Sequence, residues 1–548
     1  MLDFETIERD RAERRAYWRQ RNVYTDRAYA DAIRDGVQAG GGQKLIFHSR
    51  TRPLDIVTVA EVDAEAERFA RAFHRLGLRC GDYIAVMLPT WRETALAYLA
   101  AFKIGLAVVP IVPVYGAREI GFVMRETGAK ALIVPDRWRG FDYLERVEAA
   151  GGLPDMRWLI VVGEAEGDGI VRWSDLTAEP GDIYPAPSGI ADEVCLVIYT
   201  SGTTSDPKGV KHTHNTMLCD NNAARAGLEP AMPAASPPGA VFGMSPAGHM
   251  AGFHTLIRPF VNPGADTVYV DQWAPEEAVA LIERYGIGSA AGTPIFLTSL
   301  VDTIERGEVD ISSLKAFGLG GSAVTPDTIR VADSLGLEGW RVYGMSEHSN
   351  VSASLGDTFE KRAYTDGKIT ARNEVLIVDD NDEEVPRGQP GEVCTRGPRL
   401  FVGYMNPDLD RACFLPGGWY KSGDIGTHDA DGYLTITDRK KDIIIRGGEN
   451  ISAKEVEDVL ATMPGVRESA VVAMPDPALV ERVCAFVEAK PGHDISLESV
   501  TAYFREQGVA RLKTPERVIL VEAFERTATG KVRKTDLRQQ LRDEAAAG

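Results

Sequence analysis

From Tyr199 to Gly209 the chain reads Tyr-Thr-Ser-Gly-Thr-Thr-Ser-Asp-Pro-Lys-Gly, directly after the apolar run Val194-Cys195-Leu196-Val197-Ile198. Ser201, Thr203, Thr204 and Ser205 supply hydroxyls, Gly202 and Gly209 let backbone N–H groups approach an anion, and Lys208 adds a positive charge. Such a loop, Thr200 to Lys208, suits a polyphosphate. It is not a Walker A loop, which needs Lys after its second Gly, whereas Lys208 precedes Gly209. A flexible Ser/Gly linker is the plain alternative, and the Pro-Lys-Gly stop argues against it.

Further along, the strand-like Arg341-Val342-Tyr343 leads into Gly344-Met345-Ser346-Glu347. Tyr343 offers a ring face to a purine, and Glu347 a hard oxygen ligand to Mg²⁺ beside phosphates. The competing reading is a helix start with an acidic first turn. Phe317 to Ala323 reads as a strand ending in a glycine corner, where Gly320 and Gly321 let a flat ring approach the backbone. In Ser422-Gly423-Asp424-Ile425-Gly426, Asp424 can accept two hydrogen bonds, as a ribose diol requires. The His212-Thr213-His214 spacing is weak as a metal site. A strand end running into a helix capped by Thr213 or Asn215 explains it better.

The elements that must position these residues follow from length and patterning. A chain of 548 residues exceeds a single core, so at least two domains are expected. Hydrophobic content of 44% and charged content of 26% describe a globular protein, and a net charge of −19 argues against nucleic acid as a partner. Six scattered cysteines without C-x-x-C spacing read as reduced, mostly buried thiols in a cytoplasmic protein, with no zinc site or disulfide framework. The N-terminus lacks the pattern of a signal peptide, and no apolar run approaches the ~20 residues of a membrane helix.

Residues 6–35 read as one or two surface helices. Strands at Tyr83–Met87, Ala107–Ile111 and Ala131–Val134 then alternate with helices at Val62–Leu76, Thr94–Ile104 and Ala117–Thr127, the pattern of a parallel sheet with crossover helices. Gly105 and Gly128 stand where helix C-caps belong. Short strands at Glu374–Asp379 and Gly391–Thr395 predict an antiparallel part. The charged run Asp438-Arg439-Lys440-Lys441-Asp442 separates a large domain (1–437) from a small α+β domain (443–548). The expected fold is α/β: a large N-terminal domain with parallel α/β sheets plus a β-rich subdomain, and a small mobile C-terminal domain.

The Thr200–Gly209 loop and the Tyr343–Glu347 block, in order with Asp424, the 438–442 run and Arg526-Thr527-Ala528-Thr529-Gly530-Lys531, resemble the blocks of the adenylate-forming superfamily of acyl-CoA synthetases, luciferases and adenylation domains. Ser205, Ser346 and Glu525 depart from the usual Gly, Thr and Pro. The resemblance implies that a carboxylate attacks the α-phosphate of MgATP to give acyl-AMP and pyrophosphate, after which a thiol displaces AMP. It implies that Thr200, Ser201, Gly202, Thr203, Thr204 and Lys208 hold phosphates, with Thr204 and Glu347 at Mg²⁺. Gly321, Ser322, Ala323, Tyr343, Gly344 and Ser346 would hold adenine and its surroundings, and Asp424 and Arg439 the ribose. Lys531 would serve adenylation, Lys441 would be the hinge, and Gly447 and Gly448 would meet the pantetheine of coenzyme A. A point charge such as Lys531 stabilises a pentavalent phosphorus without proton transfer.

The Trp18 region, the His212–Thr216 run and the Gly248–Phe253 loop look like the subgroup acting on cyclohexanecarboxylate and medium-chain acids. That subgroup implies an acyl pocket of His249, Phe253, Gly292, Gly320, Met345 and His348. His249 also fits a glycine-rich packing bend, and packing is the favoured reading of His254. Rival readings are an enzyme loading a phosphopantetheinyl carrier protein, an acyl-AMP ligase that ignores coenzyme A, a non-catalytic nucleotide binder and a luciferase-type oxygenase. A homodimer is expected with no motif behind it.

Overall fold

The computed structural model describes every residue except 1, 166, 168, 177–182, 201–206, 229–236, 308, 528–529 and 548. Two large sheets dominate. One has seven strands in the order Lys208–Thr213, Val194–Thr200, Ala107–Pro110, Tyr83–Val86, Ala131–Pro135, Trp158–Val162 and Ile170–Arg172. All its neighbours are parallel except the Val194–Thr200/Lys208–Thr213 pair, which is antiparallel. The other has nine strands, with a parallel centre that includes Ile287–Gly292, Ala316–Gly320 and Glu338–Tyr343.

Helix Val59–Arg75 shows why the local sequence folds as expected. Thr58 and Glu61 form a capping box, and Val59, Val62, Ala66, Phe69, Ala70 and Phe73 recur on one buried face. Helix Ala117–Thr127 ends at Gly128, whose φ of 62° is a left-handed cap that a Cβ would strain.

Two expectations change. Helix Phe4–Gln20 is joined by a second helix, Tyr29–Gly40, which is no surface helix: Tyr29, Ala32, Ile33 and Gly36 are buried. A Cβ on Gly36 would stand 2.1 Å from the Phe260 carbonyl oxygen, so the helix packs backbone to backbone on Met250–Val261. Strands Lys44–His48 and Asp55–Thr58, absent from the sequence reading, extend the nine-stranded sheet: Lys44–His48 pairs with Thr267–Val270, more than 200 residues away, and Asp55–Thr58 pairs antiparallel with Lys44–His48 at the edge.

A five-stranded antiparallel sheet (Glu374–Val378, Gly391–Arg396, Phe414–Leu415, Trp419–His428, Leu434–Arg439) follows. The C-terminal domain has its own mixed sheet, built on Val466–Asp476, Val480–Ala489 and Arg517–Val521, with helices Ala453–Ala461, Leu497–Glu506 and Lys534–Ala547. It carries a separate apolar cluster around Val456, Leu460, Val483, Val500 and Phe504. All six cysteines are free; four are buried, Cys413 is partly buried and Cys80 is exposed. Among the described residues no helix is long and apolar enough to cross a membrane.

Candidate active site

A cleft of about 3530 Å³ opens along the large domain and is lined by both domains. Strands Val194–Thr200 and Lys208–Thr213 deliver the two ends of the phosphate loop to it, with Thr200 directly opposite Lys208. Ser201, Gly202, Thr203 and Thr204 lie outside the described residues. The hairpin is tied down on its outer side: the Met405 N–H donates to the Gly209 carbonyl at 2.7 Å, and Val210 bridges Tyr404. The Tyr199 hydroxyl donates to Glu126 at 2.6 Å.

Glu347 follows strand Glu338–Tyr343 on a tight turn, not at a helix start. Gly344 is required there, since a Cβ would stand 2.6 Å from the Asn350 nitrogen. The Glu347 side chain is nearly buried, and its Oε1 accepts from the Tyr404 hydroxyl at 2.7 Å. Tyr420 stands 3.0 Å from Tyr404, oxygen to oxygen. Burial, and then the negative Glu347, push both phenols far above their ordinary range, so they stay neutral. Lys208 Nζ lies 5.6 Å from the centre of the Tyr404 ring, so one tyrosine faces both the metal-binding candidate and the loop's lysine. His212 adds a second tie: its Nε2–H donates to the Ser346 carbonyl at 2.7 Å. Burial lowers His212 to about 4, leaving it neutral.

Tyr343 ends its strand with its hydroxyl donating to Asp424 Oδ2 at 2.7 Å. Arg439 lies opposite Asp424 in the antiparallel sheet, and its Nε donates to Oδ1 at 2.8 Å. Each Asp424 oxygen keeps a further lone pair for a hydroxyl. Asp424 first, by its charge, raises the Arg439 guanidinium further above its ordinary value. Gly321 (φ 77°), Ser322 and Ala323 form a corner on the same cleft.

The C-terminal domain contributes Lys531. Its turn is braced by short-range bonds: Thr527 N–H to Lys531 O at 2.7 Å, and the Arg526 guanidinium to Gly530 O at 2.9 Å and to Glu468. Gly530 has φ of 83° and packs near Ile295 of the large domain. The Lys531 side chain is open to the water of the cleft but walled by protein, and desolvation, then Arg439, lower it to about 8, against the pull of Asp424 and Glu347. Lys441 is likewise lowered to about 8 by desolvation and then Arg439. Gly447 and Gly448 form the turn of hairpin Ile444–Ile451, with φ of 59° and 92°, and do not line the cleft in this arrangement.

Of the acyl-pocket candidates, His249, Gly292, Gly320 and Met345 line the cleft. Phe253 does not. It is fully buried among Tyr29, Tyr98 and Phe102, because it faces away from the cleft on helix Met250–Val261. His348 is also withdrawn: its Nδ1 accepts from Thr395 at 2.9 Å and its Nε2–H donates to Asn373 at 3.1 Å, behind the Glu347 turn. His254, read as packing, lines the cleft. Desolvation lowers His249 to about 4, with Lys531 adding to the shift, and lowers His254 to the same range.

No three His, Cys, Asp or Glu side chains gather as a metal site among the described residues. A single carboxylate, Glu347, on the cleft that Thr200 and Lys208 also line nevertheless fits Mg²⁺, which is held through one or two carboxylates plus substrate phosphates. Tyr404 and Tyr420 were missed in the sequence, and His212 was read there only as a strand end and part of the subgroup run, since nothing in their spacing links them to Glu347.

A family model described as AMP-binding enzyme matches residues 42–405, and another, AMP-binding enzyme C-terminal domain, matches 455–531. The medium-chain fatty-acid–CoA ligase of Escherichia coli is 34% identical over 536 residues, covering 96% of this chain and 93% of its own. The salicyl-AMP ligase/salicyl-S-ArCP synthetase of Mycobacterium tuberculosis is 30% identical over 541 residues, covering 97% and 94%. In fold, an anthranilate CoA ligase solved with anthranoyl-AMP superposes with a TM-score of 0.82 at 23% identity, covering 96% of this chain and 98% of that one. With both family models matched in order along one cleft, the chain belongs to the AMP-binding enzymes and is an ATP-dependent, adenylate-forming ligase.

Proposed function

We propose that the enzyme joins a medium-chain or alicyclic carboxylic acid to coenzyme A through an acyl-AMP. The observation carrying this reading is that Lys531, from the C-terminal domain, shares a cleft with Glu347, Tyr343 and the Asp424–Arg439 pair. In the first half-reaction a carboxylate oxygen bonds to the α-phosphorus of ATP and pyrophosphate leaves. In the second, the thiol sulfur bonds to the acyl carbon, AMP leaves with the bonding electrons, and the thiol proton passes to solvent.

Glu347, with Thr204 of the loop, would hold Mg²⁺, which supplies charge neutralisation at the phosphates. Lys208 and Thr200 bracket the phosphates, Tyr343 and the Gly321–Ala323 corner receive adenine, and Asp424 with Arg439 receives the ribose. Lys531 stabilises the charge that develops around the attacked phosphorus; positioning and electrostatics then supply the catalysis. Rotation of residues 443–548 about Lys441 would withdraw Lys531 and bring Gly447 and Gly448 to the cleft for the pantetheine arm.

AMP release and thioester formation from straight-chain, alicyclic and aromatic acids, with and without coenzyme A, test the reading. CoA-dependent AMP with a thioester product supports it, and acyl-AMP formation indifferent to coenzyme A overturns it. In that second case a carrier-protein acceptor, as the name of the M. tuberculosis relative states for that protein, takes its place. A cytoplasmic location, supported by six unpaired thiols, and a homodimer belong to the same proposal; light scattering decides the latter.

A further inference from the structure

Three adjacent parallel strands form one wall of the cleft, and their register sets what that wall presents. Ala291 of Ile287–Gly292, Gly318 of Ala316–Gly320 and Trp340 of Glu338–Tyr343 stand in one row across the sheet. Neighbours in such a row project on the same face, so a methyl, a hydrogen and an indole share one strip of surface. All three line the cleft, and Ala291 is exposed to it.

The middle position is decisive. A Cβ on Gly318 would stand 2.7 Å from Trp340 Cζ2, 3.0 Å from Cε2 and 3.2 Å from the Ala291 methyl. The indole therefore lies down across the glycine strand, in space that any side chain at 318 would occupy. The alternate residues Phe317 and Leu319 point to the opposite face, into the core under helices Pro294–Ile304 and Pro326–Ser334. Toward the reacting end, Gly320 pairs with Val342, and the wall there carries only the small Val342 side chain, whose Cγ1 would stand 2.7 Å from a Cβ on Gly320. Trp340 stands three residues before Tyr343, about 10 Å back along the strand at ~3.3 Å per residue. The wall thus carries a small branched side chain beside the nucleotide end and a large flat ring further in.

We infer that Trp340, laid across Gly318, sets the depth of the acyl pocket and selects a compact apolar acid, a ring or a medium-length chain, against long chains. This rests on the acid–CoA ligase reading and assigns its selectivity to one row of the sheet. The indole contributes a broad apolar surface for a ring to lie against, and the same surface blocks a chain that would continue past it. Neither Trp340 nor Gly318 contacts the reacting groups described above, so their substitution should change which acid reacts without removing the chemistry.

The experiment compares wild type, Trp340→Ala, Trp340→Phe and Gly318→Ala on hexanoate, octanoate, dodecanoate, palmitate, benzoate and cyclohexanecarboxylate. Acyl-AMP formation is read by pyrophosphate exchange and thioester formation by coenzyme A consumption. Trp340→Ala should raise the dodecanoate-to-octanoate ratio of kcat/KM about tenfold or more and lower both ring acids, since one or two methylenes in an apolar pocket discriminate at that scale. Gly318→Ala, which lifts the indole into the pocket, should shift the ratio the other way, toward hexanoate. Trp340→Phe should fall between wild type and Trp340→Ala, and it decides the matter if the alanine variant does not fold. Rankings that agree within twofold across the folded variants overturn the inference. Pyrophosphate exchange ranks the acids whatever thiol follows, so failure of the coenzyme A reading shows only in the thioester assay.

Discussion

The large-domain half of the site and the turn that carries Lys531 are built by opposite means. Glu347, Asp424, Tyr404 and Tyr420 are all buried to less than a tenth exposed and are held by hydrogen bonds that cross between sheets. Lys531 is open to cleft water, and its turn is held by bonds within residues 526–533 and by Glu468 of its own domain. A buried acceptor must be fixed by several partners, because leaving it unpaired costs about 1–3 kcal/mol. An exposed point charge on an internally braced turn can leave the cleft as a unit without breaking such bonds. In the proposed mechanism the fixed half would recognise the nucleotide and the movable half would supply a charge needed in one step only.

The strongest way to break this contrast is Lys531→Ala. It should slow acyl-AMP formation by about 10²–10³-fold, the scale of losing one electrostatic stabiliser, while leaving thioester formation from supplied acyl-AMP within a few fold. Equal losses in both steps would mean that the turn does not act selectively.

Tyr404→Phe probes the fixed half. It strips Glu347 Oε1 of its donor and should lower adenylation about tenfold and raise the Mg²⁺ concentration needed for half-maximal rate, because a hydrogen bond to a charged group contributes about 1.5–3 kcal/mol. An unchanged Mg²⁺ dependence would remove Tyr404 from the positioning of Glu347.

The pH profile comes next in size. With Lys531 lowered to about 8, its positive charge is present below that pH and lost above it. Adenylation should therefore fall as pH rises through about 8. Lys531→Arg, which stays charged, should abolish that limb even if its rate is lower, and persistence of the limb would assign it to Lys441, lowered to the same range.

The smallest effect is expected for Glu468→Gln. It weakens a half-exposed pair with Arg526, and such pairs contribute about 0–1 kcal/mol, so adenylation should fall no more than about fivefold with thermal stability nearly unchanged. A larger loss would show that the turn depends on its own domain for more than bracing.

Legibility in the sequence followed the range of the interactions. Helix Ala117–Thr127 matches its expected bounds, and strand Tyr83–Val86 comes within one residue of them, because caps and apolar spacing are written within a dozen residues. Strands Lys44–His48 and Asp55–Thr58 were not read, since the sheet partner of Lys44–His48 at Thr267–Val270 is remote and both runs are short. Among the site candidates, the motif-borne residues Tyr343, Glu347, Asp424, Arg439 and Lys531 line one cleft. Phe253 and His348 sit beside lining residues in sequence yet point elsewhere, one from the far face of a helix and the other behind a turn, and side-chain direction on such elements is set by packing.

The amino-acid order by itself determined the blocks proposed to handle phosphate, adenine, ribose and the adenylation charge, because each is a local pattern of glycines, hydroxyls and one charged side chain. It also determined the alternation of strand and helix, through hydrophobic period. Only the tertiary structure decided which phenol meets Glu347, how Arg439 comes to face Asp424, and that Trp340 lies over Gly318. Those pairings depend on strand register and on the space a neighbour leaves empty, and neither quantity exists until remote segments have packed.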